Sequence, residues 1–117
     1  MASLDEFDEC VGLILAALTK SFPKRIKFDA SEISAVAPDI EVHFVGDCMS
    51  FLRDEGLIEY KDVSLNFYFI GCRLTLRGIS CLRQDAPELL QCYDKKDYKN
   101  LAKIAIQILN KWITQRR

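Results

Sequence analysis

Apolar residues recur at helical spacing from the start of the chain. Leu4, Phe7, Val11, Ile14, Leu15 and Leu18 share one arc at about 100° per residue, with Asp5, Asp8, Glu9, Gly12 and Thr19 outside it. An acidic first turn and Pro23 beyond the end predict a first helix over residues 4–21. Ile26 and Phe28 then alternate with Arg25 and Lys27, which predicts a short strand. Asp29 and Glu32 have the spacing of a capping box, opening a second helix over 30–36 that stops before Pro38. Asp39 is placed to cap a third helix that runs to Glu55 and closes at Gly56. Its apolar face carries Ile40, Val42, Phe44, Val45, Cys48, Met49, Phe51 and Leu52. Its outer face carries His43, Gly46, Asp47, Ser50, Arg53 and Asp54.

The period then shortens to two. Residues 57–61 and 67–74 read as the strands of a hairpin, with Asp62, Ser64 and Asn66 in the turn. Simple alternation turns Tyr68, Ile70, Cys72 and Leu74 to the core and leaves Leu65, Phe67 and Phe69 outside. A hairpin wetted on one face alternates apolar with polar, and this one does not, so its outer rings need a cover. Thr75 is placed to cap a helix over 76–84, and Pro87 sits near the start of a short turn over 88–92. The last helix spans 97–114. Its apolar residues, among them Leu101, Ile104, Ile106, Leu109, Trp112 and Ile113, cover roughly 200° of arc, about twice what a single core contact requires. The excess faces either the hairpin's outer side or a second copy of the chain.

Two segments carry a family resemblance. FLRDEGLIEY, leaving the third helix, is similar to the L-x-x-x-G-L-I exit of a recognition helix. RLTLRGISCL, after the hairpin, is similar to the L-T-x-x-G-x-x-x-L that follows the wing. With the order helix, strand, helix, helix, hairpin, the chain resembles the winged helix-turn-helix superfamily over most of residues 4–83. The isoleucine-rich helix ending in KWITQRR resembles small bacterial proteins of the YjcQ type. The resemblance implies an α+β, mostly helical fold. Residues 1–84 would form a winged helix, a three-helix core with a β-hairpin wing. Residues 85–117 would add a C-terminal amphipathic helix for dimerisation or for covering the wing. It also implies a bacterial or phage protein of one of two kinds, a transcription regulator or a domain that binds only protein, with homodimers common in both.

Composition narrows the setting. Half of the 117 residues are hydrophobic and 28% are charged, which suits one domain with a real core. The start, MASLDEFDE, is acidic where a secretory signal is basic and then apolar. The longest uncharged runs, 10–19 and 63–72, fall well short of the ~20 residues of a membrane span. A cytoplasmic protein with no membrane contact is expected. Five cysteines, odd in number and without a close pair, predict free buried thiols, not a disulfide framework.

Charge separates the candidate partners. Residues 1–92 hold 9 Lys/Arg against 15 Asp/Glu, and residues 93–117 hold 7 against 2. The basic end reads as the wet face of the last helix, with Arg116 and Arg117 favouring its dipole, or else as a phosphate-binding arm. In a DNA-reading winged helix the third helix enters the major groove, and cations supply much of the affinity. Here residues 40–55 set Arg53 alone against Glu41, Asp47, Asp54 and Glu55. His43, Asp47, Ser50, Arg53 and Asp54 are therefore expected to meet a protein partner. The alternative is a DNA-binding regulator that uses flanking cations: Lys24, Arg25, Lys27, Arg73 and Arg77. Phe67, Phe69, Leu101, Ile104, Ile106, Leu109, Trp112 and Ile113 are the expected dimer or cover surface.

No catalytic, cofactor or metal site is expected. There is no C-x-x-C and no phosphate loop. The one histidine, His43, lies five residues from Cys48 and on a different helix face.

Overall fold

The computed structural model describes residues 4–115. Helix α1 (Leu4–Ser21) leads into strand β1 (Ile26–Asp29), helix α2 (Ala30–Val36) and helix α3 (Val42–Asp54). Strands β2 (Ile58–Glu59), β3 (Asp62–Val63) and β4 (Tyr68–Leu74) follow, then helices α4 (Leu76–Leu82), α5 (Ala86–Asp94) and α6 (Tyr98–Gln115). The fold is α+β and mostly helical. Its sheet is antiparallel, ordered β1–β4–β2, with β3 also paired to β4. No helix among the described residues is long and apolar enough to cross a membrane.

Local capping chemistry sets most boundaries. Asp29 accepts a hydrogen bond from Ser31 N at 3.0 Å, and Thr75 accepts one from Gly78 N at 2.9 Å. Gly56, at φ +84°, closes α3. Asp39 does not cap α3. Beside Pro38 the chain turns, with Ile40 N donating to Ala37 O at 2.9 Å and Ser34 Oγ donating to Ile40 O at 2.5 Å. Those bonds bury Ile40 and delay the helix to Val42. The short turn expected at 88–92 is the middle of α5, which carries Pro87 in its first turn and buries Leu89 and Cys92.

Strand β4 departs from simple alternation. Ile26 pairs with Cys72 and Phe28 with Phe69, so two steps along β1 match three along β4. The extra residue is taken up next to Gly71, whose φ of +73° favours a residue with no Cβ. A side-chain period of two means that one inserted residue turns every earlier position to the other face. Phe69 is therefore buried at 2% exposure, while Ile70 is 41% exposed. The Phe69 ring packs near Tyr60 and Phe28, with centroids at 4.9 and 6.5 Å. This corrects the placing of Phe69 on an outer surface. Phe67 is half-buried, its ring over Gly46, where an added Cβ would lie 2.4 Å from Phe67 Cδ1. Only Leu65 of the three predicted outer residues stands wholly in solvent.

Of the two places the pattern offered helix α6, the outer side of the hairpin is not the one it takes. It lies mainly on α1, with further contacts to α5 and α4. Leu101 sits against Gly12, where an added Cβ would meet Leu101 Cγ at 3.0 Å. The missing side chain lets the two helices approach closely on the side of α1 that the pattern read as polar. Residues 10–16 of α1 are consequently buried all round. Leu101, Ile104, Ala105, Ile108 and Trp112 belong to the same hydrophobic cluster as α1 and the sheet. Trp112 Nε1 also donates to Glu55 Oε1 at 3.2 Å, tying α6 to the end of α3.

Candidate binding surfaces

The outer side of α3 presents His43, Asp47, Ser50, Arg53 and Asp54 to solvent. Two of the five, though exposed, also touch aromatic rings of the hairpin. His43 meets the edge of Phe67 at 5.0 Å between ring centroids. Arg53 lies over the Tyr60 ring, 4.4 Å from its centroid, a cation–π contact that draws the helix's one cation towards the sheet. Asp47, Ser50 and Asp54 remain as an exposed acidic strip.

The cations expected to touch nucleic acid do not form one basic patch. Arg25 donates to Gly71 O at 2.9 Å and pairs with Glu59. Arg73 Nε reaches the same carboxylate oxygen of Glu59 at 2.9 Å. One carboxylate on β2 thus bridges two guanidinium groups, one just before β1 and one on β4. Glu59 is Arg73's partner in the β2–β4 register, a pairing visible only once the hairpin register is known. Lys24 and Lys27 are exposed near this cluster in sequence, whereas Arg77 on α4 lines a hollow with Ser80 and Trp112.

The predicted dimer or cover residues divide between the two sides of α6. Leu101, Ile104 and Trp112 face the core. Ile106 and Ile113 are 40% and 53% exposed, and Leu109 is half-buried. Together with Phe7 and Phe51 they line a groove of about 380 Å³ between α1, α3 and α6. Phe7 and Phe51 meet edge to face at 5.5 Å, and both were expected to be plain core residues. The shared residues Asp8 and Ile106 join this groove to a second hollow of about 520 Å³. Asp5, Asp8 and Glu9 of α1 line it on one side, and Lys99 and Lys103 of α6 on the other. Burial raises the Asp8 carboxyl above its ordinary range, and Asp5 adds to the effect. Burial likewise raises Glu9, with Asp39 and Glu6 adding to it.

The thiols are poorly suited to nucleophilic chemistry. All five cysteines are free and buried. A hydrogen bond with Cys48, and then burial, push the Cys10 thiol far up, and burial raises Cys72 to about 12. Such groups stay protonated at neutral pH, and the thiolate is the reactive form. Comparison of the chain with family models, with curated proteins and with solved structures finds no match.

Proposed function

We propose that the chain is a non-enzymatic winged-helix binding module that docks the acidic outer face of α3 on a basic protein surface. The order α1, β1, α2, α3 and hairpin, with the sheet ordered β1–β4–β2, supports the winged-helix reading. The observation that carries the functional part is the placing of charge on α3. Arg53, also exposed, is engaged over Tyr60, and Asp47 and Asp54 outnumber it on the side that would face DNA. A polyanion is repelled there, and a lysine- or arginine-rich protein surface is attracted. Such a surface could itself be one that otherwise holds nucleic acid.

Fluorescence anisotropy with an arginine-rich peptide and with duplex DNA, side by side, tests this. The wild-type chain should bind the peptide, more weakly as salt rises, and leave the duplex free at low salt. Asp47→Lys/Asp54→Lys should lose peptide affinity at least about tenfold and gain salt-sensitive duplex binding, because like-charge juxtaposition costs several kcal/mol. Peptide binding that ignores this double reversal would overturn the assignment to α3.

The second reading, a DNA-binding regulator, draws on the exposed Lys24 and Lys27 beside the Arg25–Glu59–Arg73 cluster. It requires duplex binding by the wild-type chain that Lys24→Ala/Lys27→Ala weakens.

A further inference from the structure

The groove along α6 has an apolar floor between walls of opposite charge. Ala102, Ile106, Leu109 and Ile113 follow one another at steps of four, three and four along the outward side of α6. That is the spacing at which two helices interlock side chains along a seam. One wall is α1, with Asp5, Asp8 and Glu9. The other is the far flank of α6, with Lys99 and Lys103 lining the same hollow. Among the described residues neither lysine closes an ion pair with any of the three carboxylates. Each wall therefore keeps its charge for something placed over the floor.

We propose that a second copy of the chain occupies this groove, with its α6 parallel to and in register with the first. This rests on the protein-binding reading above and adds a partner surface separate from the α3 face. Symmetry gives the direction. A two-fold axis along the groove turns the acidic wall of each copy onto the lysine wall of the other. It also sets Ile106 against Ile106 and Leu109 against Leu109. A two-fold axis across the groove makes the helices antiparallel and keeps acidic walls on one side of the seam and lysine walls on the other. Unlike charges across a partly buried interface favour the first arrangement. Lysines brought from a second copy also ease the crowding of carboxylates on α1, where Asp8 and Glu9 already hold their protons more tightly than usual.

Sedimentation velocity and light scattering on the full chain, over a range of concentrations, test the proposal. A dimer is expected. Ile106→Asp should convert it to monomer, and Lys99→Asp/Lys103→Asp should weaken it at least about tenfold, with far-UV circular dichroism retained in both. Ile106→Cys should cross-link to itself on mild oxidation. The native cysteines are all buried, so the added thiol is the accessible one. A chain that is monomeric at every concentration overturns the proposal, as does a dimer indifferent to both sets of changes. Cross-linking that needs a mixture of Ile106→Cys and Leu109→Cys chains overturns the parallel register. A monomer would leave the α3 reading standing, because peptide binding decides that separately.

Discussion

A chain ended after Lys96 should show no cooperative unfolding transition. Without α6 it loses the burial of Leu101, Ile104, Ile108 and Trp112, and it exposes the Gly12 side of α1 to water. Each large apolar side chain contributes about 1.5–3 kcal/mol when fully buried, so four come to roughly 10 kcal/mol. That is comparable to the whole margin of ~5–15 kcal/mol by which a domain stays folded. Circular dichroism against temperature and urea, on full-length and shortened chains, makes the comparison. A shortened chain that melts cooperatively near the full-length midpoint would mean that α6 is an appended arm and not part of the core.

Phe69→Ala should cost about 3–5 kcal/mol, while Ile70→Ala should cost under ~1 kcal/mol. The difference follows from the bulge at Gly71. Phe69 has 2% of its surface exposed and packs among Phe28 and Tyr60, whereas Ile70 is 41% exposed on the other face. Plain alternation along β4 predicts the opposite ranking. Urea midpoints for the two variants decide it, and a larger loss at Ile70 would contradict the register described above.

The elements whose ends depend on nearby residues were legible in the sequence. Asp29, Gly56 and Thr75 act within a few residues of themselves, and α1 and α2 begin and end where composition and capping place them. What depends on distant partners was not. Gly12 reads as part of a polar arc until Leu101 is known to lie on it, and Gly46 reads as outer surface until the Phe67 ring covers it. Gly71 did leave a signal, since a glycine inside a strand often marks a bulge, but its effect on facing appears only with the β1 register. The same holds for charge. A tally along α3 treats Arg53 as unengaged, and a tally of flanking cations treats Arg25 and Arg73 likewise. Tyr60 and Glu59 claim all three through contacts made only in the folded chain. The excess apolar width of the last helix was legible, whereas the way it divides between a core stripe and an outward stripe needed α1 in place.

The reading of α3 as a protein-docking surface is tested most directly by titrating the isotope-labelled chain with duplex DNA at low ionic strength and following backbone amide shifts. The amides of His43, Asp47, Ser50, Arg53 and Asp54 should stay where they are as duplex is added. Saturable shifts at those five positions, reversed by added salt, would show α3 seated on a polyanion and would contradict the account.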